Sequence, residues 1–433
     1  MFYNILYNIY FHLKKKEARV GMQTLYQKVN ADRIVRRIEE LAKCSMTKKG
    51  VTRLSFSRES EMANELVAQW MQEAGMTVRR DGLNNIIGRY EGKWPDAPVL
   101  LIGSHLDSII EAGKYDGVLG VIAAIEVIQT LYENGMRPNN PIEVIGFCDE
   151  EGARFHTTLL GSRAIAGNLR EEELFAKDAN GITLAEAMKE IGLDPFQYHT
   201  AARHPKTILG YLELHIEQGP ILEQMNQACG VVSGIAGQSR YKFRVEGLVG
   251  HAGTVPLPLR KDALAGTAEM ILAIEQIVLQ YENLMATVGK LSVFPGASNV
   301  IPGLVEGTLD VRSIDDGTRR TALNRIIEEC KEIAKQRGLV CEFTKVMESP
   351  AVLCSSRFID VISSVLEERK MKSVRLVSGA GHDAMALASI TDIGMIFVRC
   401  KNGLSHHPDE FVAAEDIKIG TSVLLDVALK LTS

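Results

Sequence analysis

Histidines and carboxylates that can bind a metal ion recur along this chain, close to the ends of short apolar runs. The first group is His105-Leu106-Asp107, which follows the run from Pro98 to Ile102. Residues i and i+2 of an extended segment point the same way, so we expect Asp107 to reach the imidazole of His105 and fix its tautomer. A histidine with a purely structural role is the commoner explanation of an isolated H-x-D, so this group alone decides nothing.

A second candidate ligand is Asp116, which directly precedes the long apolar stretch from Gly117 to Asn134. An aspartate at the start of a predicted helix ordinarily accepts hydrogen bonds from the N–H groups of the first turn. The alternative is a carboxylate that bridges two cations and is held rigidly by the helix behind it. Taken alone, the local pattern favours the helix cap.

The acidic run Asp149-Glu150-Glu151 follows another apolar run, Ile142 to Cys148. Three adjacent carboxylates repel one another, which costs free energy unless a cation compensates them. A solvated acidic loop is the alternative, but these residues leave an apolar strand rather than a polar turn. Two adjacent glutamates can divide the chemistry, one binding metal and the other removing a proton from the attacking water.

Histidines follow two further apolar runs. His215 comes after Ile208 to Leu214, and His406 comes shortly after Gly394 to Arg399. Ligand-type residues therefore stand at five predicted strand ends, and α/β sheets bind ligands beyond the carboxyl ends of their strands. One metal centre explains all of them together. Imidazole and carboxylate ligands without cysteine suit Zn²⁺, Mn²⁺, Co²⁺ or Ni²⁺ and do not choose between them.

Other residues suit substrate binding. His251 lies between glycines on a predicted loop, where a small molecule can reach it, and Asn299 with Arg312 forms a natural clamp for a carboxylate. Gly381 and His382 lie in a further glycine-rich segment. Each of these patterns is also compatible with ordinary turn chemistry.

Composition and charge exclude several classes of protein. The 433 residues are 46% hydrophobic and 24% charged, with a formal net charge of -5. This composition is that of a soluble protein of two or three domains, and we expect neither a nucleic-acid partner nor a membrane span. The seven cysteines are scattered and never form a C-x-x-C pair, which predicts reduced thiols and a cytoplasmic location.

Periodicity predicts a discontinuous α/β domain interrupted by an insert. In segments 29–237 and 350–433, buried-type strands alternate with helices, as in a mostly parallel, helix-covered sheet. Segment 238–349 follows the order β-α-β-β-α-β, which predicts a ferredoxin-like α+β domain. Residues 1–28 are predicted to be an N-terminal extension, because the apolar stretch from Met1 to Leu13 precedes lysines instead of following them as in a secretory signal.

Several motifs occur along the chain in this order: G-S-H-L-D-S, K-Y-D-G-x-x-G, D-E-E-G-x-R-F, E-L-H-I-E-Q-G-P, G-H-A-G-T, S-N-V-I-P-G, D-V-R-S, S-G-A-G-H-D-A and G-x-S-H-x-P-x-E. Together they resemble the hydantoinase/carbamoylase family of amidases, from about Val29 to the C-terminus. That family includes allantoate amidohydrolases, N-carbamoyl-L-amino-acid hydrolases and ureidopropionases, and it shares a superfamily with dinuclear zinc aminopeptidases.

The resemblance implies two divalent metal ions per subunit, with zinc or manganese favoured over cobalt or nickel. It places His105 and His215 on one metal, Glu151 and His406 on the other, and Asp116 between them. It makes Glu150 the general base, supported by Asp107 and His251 as catalytic residues. The implied substrate contacts are Gln218, His251, Asn299, Arg312, Gly381 and His382.

The resemblance further implies that segment 238–349 is a lid that also forms a homodimer, with His251 reaching into the partner's site. Two positions depart from the family pattern: Gly250 stands where some relatives have asparagine, and the pair His406-His407 leaves the ligand to be chosen. We choose His406 from its place after Ser405. Peptidase relatives carry a carboxylate at the position of His215, which favours a ureido substrate over a peptide.

The expected reaction is hydrolysis of a ureido C–N bond in a small carboxylate substrate. Allantoate is the first expectation, since S-G-A-G-H-D-A-M and R-F-H-T-T-L-L-G-S-R look closest to the allantoate branch. N-carbamoyl-L-amino acids or a ureidopropionase substrate are the alternative. An inactive metal-binding dimer is a second alternative, although every ligand and base position is filled.

Overall fold

The computed structural model describes residues 28–433 and divides the chain into two compact units. The first unit comprises the chain up to Ser233, Cys354–Leu376 and His382–Ser433, and the second comprises Gly234–Leu353 and Val377–Gly381. The N-terminal extension predicted for residues 1–28 lies, except for Lys28, outside the described residues.

Strands in the described part of the chain are numbered in chain order. They are β1 (Thr77–Arg80), β2 (Ile86–Tyr90), β3 (Val99–His105), β4 (Ile142–Phe147), β5 (Ile208–Ile216), β6 (Cys229–Ile235), β7 (Gly237–Glu246), β8 (Gly250–His251), β9 (Leu284–Phe294), β10 (Val300–Ile301), β11 (Leu304–Ser313), β12 (Val340–Ser349), β13 (Val352–Leu353), β14 (Arg375–Ser378) and β15 (Ile393–Val398).

Helices in the same residues are numbered likewise. They are α1 (Ala31–Ala42), α2 (Arg58–Glu73), α3 (Val118–Glu133), α4 (Leu160–Ile165), α5 (Leu184–Glu190), α6 (Ile221–Gln224), α7 (Ala263–Val278), α8 (Asp316–Gln336), α9 (Ser356–Glu368), α10 (Ala384–Leu387) and α11 (Ala414–Leu431). None of these helices is both long enough and apolar enough to cross a membrane.

The first unit is built on one sheet with the strand order β1-β2-β4-β3-β5-β15-β6. Its four central strands, β4, β3, β5 and β15, are parallel neighbours, whereas β1, β2 and β6 add antiparallel flanks. The central strands are buried along almost their whole length. Strands buried on both faces need apolar residues throughout, as their sequences show. The predicted α/β class with a mostly parallel sheet is confirmed.

Helix α3 packs against the centre of this sheet. Fourteen consecutive residues, Val118 to Leu131, are buried, and the helix packs against β3, β5, α1 and α11. A helix that is apolar on every side is stable only inside a domain. Its first turn therefore has a defined position behind the ends of β3 and β5.

The second unit has the element order β-α-β-β-α-β, formed by β7, α7, β9, β11, α8 and β12. Its antiparallel sheet has the order β12-β7-β11-β9. A separate apolar core lies between this sheet and its two helices, with Val245, Ile274, Val305 and Ile326 among its buried members. The short strands β8 and β10 pair with each other outside the sheet.

Gly120 offers a test of the packing between α3 and the sheet. A Cβ at Gly120 would lie 2.2 Å from the carbonyl oxygen of Leu214 and 2.8 Å from the Cβ of Ser104. We expect Gly120→Ala to lower the free energy of unfolding by about 2 kcal/mol, because overpacking outweighs a helix-propensity gain of about 1 kcal/mol. Urea unfolding measures the change. Gly317→Ala is the control, since its nearest neighbour is the Asp315 carboxylate at 3.2 Å, and equal stability of the two variants would contradict the packing.

Candidate metal centre

The candidate ligands lie at one edge of the sheet in the first unit. His105 is the last residue of β3, and His215 is the penultimate residue of β5. Glu150 and Glu151 follow β4, and His406 lies on the loop after β15. Parallel strands end at the same edge, which brings these residues together.

The expectation of five strand ends was wrong in one respect. Four strands end in candidate ligands, whereas Asp116 precedes α3. Asp116 is also not the helix cap that its local sequence favours. The N-cap residue is Gly117, and no side chain caps this helix. The Asp116 carboxylate is consequently available for other partners.

The carboxylate of Asp116 lies among three histidines. Its Oδ1 is 3.1 Å from Nε2 of His215 and 3.8 Å from Nε2 of His105, while its Oδ2 is 3.2 Å from Nε2 of His406. Nε2 of His406 is also 3.4 Å from Oε1 of Glu151. Each oxygen of Asp116 thus faces a different set of ligand-type atoms.

Glu150 lies beside both sets and is nine-tenths buried. Side-chain ligand atoms of His105, Glu150 and Glu151 lie within 4.8 Å of one another. Asp149, in the turn after β4, has a left-handed backbone conformation with φ of 58°, which is uncommon for a residue other than glycine. The turn therefore presents two adjacent carboxylates at the same edge.

Main-chain carbonyls orient the two buried histidines. Nδ1 of His215 is 2.9 Å from the carbonyl oxygen of Ile216, and Nδ1 of His105 is 3.1 Å from that of Asp107. A proton on Nδ1 leaves Nε2 free to bind a cation. The carboxylate of Asp107, which we expected to do this work, is 3.7 Å away and instead accepts the N–H groups of Glu150 and Glu151 at 3.0 and 3.1 Å.

Burial and close contact between carboxylates and imidazoles shift the pKa values of the cluster. Burial raises the pKa of Glu150 well above its usual value, which His105 opposes and Glu151 reinforces. Burial opposes protonation of His105, but contact with Asp116 and the charges of Glu150 and Asp107 outweigh it and raise the pKa of His105. The positive charge of a bound cation would oppose both shifts, because it stabilises the carboxylate of Glu150 and disfavours a proton on His105.

The residues present fit divalent metal ions. Two ligand atoms bonded to one zinc ion at tetrahedral angles stand about 3.3 Å apart, since each bond is about 2.0 Å long. The separations between Asp116 and His215, and between His406 and both of its carboxylate neighbours, run from 3.1 to 3.4 Å. Gly117, with φ of 66°, keeps space open at His105, because a Cβ there would lie 2.4 Å from Nε2.

Some residues that shape the centre were not assigned a role from the sequence. Asp149 is buried and its Oδ1 accepts the hydroxyl of Ser55 at 2.5 Å. Glu213 is fully buried behind His215 and accepts the hydroxyl of Ser104 at 2.9 Å. Burial and the charge of Asp116 raise the pKa of Glu410 to about 7. Position at a strand end was the available signal for Asp149, and membership of the last motif was the signal for Glu410.

The predicted substrate contacts are divided between the units. Within the first unit, Nε2 of Gln218 donates to Oδ2 of Asp116 at 2.9 Å, and the ring of His382 packs edge-on to that of His215 with centroids 4.5 Å apart. Burial lowers the pKa of His382 well below its usual value. Both side chains therefore adjoin the candidate ligands.

The remaining four contacts, His251, Asn299, Arg312 and Gly381, belong to the second unit. His251 is exposed on β8, and its neighbour Ala252 donates its N–H to the carbonyl of Asn299 at 3.0 Å. The guanidinium of Arg312 donates to Asp310 through two nitrogens, at 3.0 and 2.9 Å. His251 and Asn299 therefore share one loop region, and Arg312 is held by a neighbouring carboxylate.

The known proteins that this chain is similar to include amidohydrolases, deiminases and amidases. The N-carbamoyl-L-amino-acid amidohydrolase of Pseudomonas sp. (strain NS671) is 45% identical over 93% of this chain and 98% of that protein. Allantoate deiminase 1 of Glycine max is 38% identical over 91% of this chain and 88% of that protein. A crystal structure of an amidase of the hydantoinase/carbamoylase family from Burkholderia multivorans matches with a TM-score of 0.89 and 34% identity, covering 93% of this chain and 98% of that one.

The family model described as peptidase family M20/M25/M40 matches residues 101–430, which contain every candidate ligand. The relatives extend the similarity over nearly the whole chain. The chain therefore belongs to peptidase family M20/M25/M40, among the amidases of the hydantoinase/carbamoylase type, and is an enzyme that hydrolyses carbon–nitrogen bonds.

Proposed function

We propose that this enzyme hydrolyses a ureido C–N bond of a small carboxylate substrate and uses two divalent cations. The observation that carries the proposal is the Asp116 carboxylate, which faces His105 and His215 with one oxygen and His406 with the other. Glu151 completes the second group. Zinc or manganese suits this set of three imidazoles and two carboxylates.

The reaction adds water to the ureido carbonyl and expels the substituted amine, so that carbamic acid is released and breaks down to ammonia and carbon dioxide. Cations bound by these residues would polarise the carbonyl and lower the pKa of the attacking water. Glu150 removes a proton from this water and delivers it to the leaving nitrogen. Its burial beside Glu151 keeps bulk water from competing for that proton.

Allantoate is the proposed substrate, because the segments nearest the site look closest to the allantoate branch. One of them, Arg154 to Arg163, begins three positions after Glu151, and Leu159 donates its N–H to the carbonyl of Glu150 at 3.0 Å. Residues that support the general base are a more direct indicator of the substrate than sequence identity over the whole chain. The higher overall identity to the Pseudomonas protein favours N-carbamoyl-L-amino acids as the second candidate.

Further parts of the proposal rest on resemblance and composition. We propose that the second unit forms a homodimer and that His251, Asn299 and Arg312 contact the substrate. A cytoplasmic location is supported by the seven free cysteines, since disulfides are rare in reducing compartments.

Replacing Glu150 separates catalysis from metal binding. We expect Glu150→Gln to lower kcat by about 10²- to 10⁴-fold, because the variant lacks the group that moves the proton. Its metal content, measured by inductively coupled plasma mass spectrometry, should equal that of the native enzyme. Glu151→Gln is the matched variant and should lose metal, because Glu151 contacts His406. Full turnover by Glu150→Gln with metal bound would remove Glu150 from the mechanism.

Removing metal should lower both activity and stability. The buried carboxylates of the cluster then repel one another without compensation, so we expect a lower thermal unfolding midpoint after treatment with a chelator. Free metal at 100 times its Kd stabilises a protein by about 2.7 kcal/mol. Zn²⁺ or Mn²⁺ should restore the midpoint, whereas Mg²⁺, which prefers oxygen ligands, should not. An unfolding midpoint that does not respond to the chelator would argue against a resident metal.

Ammonia release identifies the substrate. The manganese-reconstituted enzyme is compared on allantoate and on several N-carbamoyl-L-amino acids, with Glu150→Gln as the blank. We expect the highest kcat/KM on allantoate. A clear preference for carbamoyl amino acids would select the second candidate, and no release from any ureido compound would overturn the proposed function.

A further inference from the structure

Glu410 is a buried carboxylate that contacts the candidate metal centre without being one of its ligands. It is 3% exposed. Its Oε1 accepts the N–H groups of Tyr115 and Asp116 at 2.8 and 3.1 Å. Its Oε2 accepts the hydroxyl of Ser405 at 3.1 Å. One side chain therefore joins the segment before α3 to the loop that carries His406.

The hydroxyl of Ser405 extends this connection to the Asp116 carboxylate. Ser405 Oγ is 2.9 Å from Oδ2 of Asp116. The amide of Gln218 donates to the same Oδ2 at 2.9 Å and to Ser405 Oγ at 3.0 Å. Oδ2 is the oxygen that faces His406, so the network holds the half of Asp116 that would bind the second cation.

We infer that Glu410 is a positioning residue that sets the affinity of this second cation, by holding Asp116 and the His406 loop in one arrangement. The inference rests on the proposed metal centre. His406 has a φ of 56°, a conformation that persists only where the surroundings enforce it. Glu410 donates its own N–H to the carbonyl of His407 at 3.0 Å, which closes the turn that directly follows His406.

The chain leaves room for this carboxylate at Gly113. A Cβ on Gly113 would lie 2.3 Å from Oε1 of Glu410 and 2.4 Å from its Cβ. The backbone of Gly113 is not left-handed, so close approach of Glu410, and not conformational freedom, accounts for the glycine. The segment before α3 is shaped to receive the Glu410 side chain.

A hydrogen-bonding role predicts a difference between two substitutions of Glu410. A glutamine keeps an oxygen for the N–H groups of Tyr115 and Asp116, and its amide can donate to Ser405. An alanine removes all three interactions. Loss of a group that orients a metal ligand weakens metal binding by about 10- to 100-fold. We therefore expect Glu410→Ala, but not Glu410→Gln, to weaken binding of one of the two cations by that factor.

The test is a titration of the metal-free full chain with Zn²⁺ in competition with a chromophoric chelator, which gives both dissociation constants without turnover. Asp409→Ala is the matched control, because its carboxylate lies on the same loop with 84% of the side chain exposed. Glu410→Gln and the control should stay within about threefold of the native affinity, a small margin beside the loss that removal of an orienting group produces. Thermal unfolding of each metal-free variant is measured in parallel.

Unchanged dissociation constants in Glu410→Ala would overturn the inference, and so would a glutamine variant as weak as the alanine variant. If Glu410→Ala does not fold, Ser405→Ala removes the hydroxyl that links Glu410 to Asp116 and should weaken the same cation. A purely structural role would lower the unfolding midpoint and leave metal affinity intact. Two bound cations without ureido hydrolysis would overturn the proposed function and leave this inference standing.

Discussion

Repulsion among buried carboxylates at the carboxyl edge of the sheet is the constraint on which the rest of the first unit depends. The buried members include Asp107, Asp116, Glu213 and Glu410. Their charged forms are costly away from water unless hydrogen bonds and opposite charges compensate them. Main-chain N–H groups supply part of this compensation. Asp107 and Glu410 each accept two such hydrogen bonds, and Glu213 accepts one from the N–H at the start of α10. Imidazoles supply more, and the proposed cations supply the remainder.

Much of the first unit was predictable from the sequence, because its central strands are buried on both faces and appear as unbroken apolar runs. Ligand-type residues directly follow these runs, and parallel pairing brings the strand ends to one edge. The short helices of segment 153–207 were not predicted from the sequence. Its helices α4 and α5 have six and seven residues, too short for a helical period to stand out.

The errors of the sequence analysis have one physical origin. Local spacing shows which side chains share a direction, but not which partner each one reaches. Asp107 lies on the same side as His105, yet its carboxylate binds N–H groups of a different loop, 43 and 44 residues away in the chain. Asp116 has the sequence position of a helix cap, yet three histidines surround it, and two of them, His215 and His406, are distant in sequence. Glu410 belongs to the last motif, but its two main-chain partners, Tyr115 and Asp116, are almost 300 residues away, so the motif could not show what it binds.

The histidine at position 215 changes the charge of the proposed centre. In the proposed centre, three neutral imidazoles and two carboxylates would hold the cations, whereas the peptidase relatives, by resemblance, carry a third carboxylate in place of His215. For a pair of divalent cations the ligand set of this chain leaves more positive charge uncompensated. A ureido carbonyl receives electrons from two nitrogens and is less electrophilic than a peptide carbonyl, so a more positive centre suits its hydrolysis. A carboxylate oxygen of Glu213 lies within 4.8 Å of ring nitrogens of His215 and His382, so this fully buried group would temper that charge when ionised without taking a ligand position at Asp116.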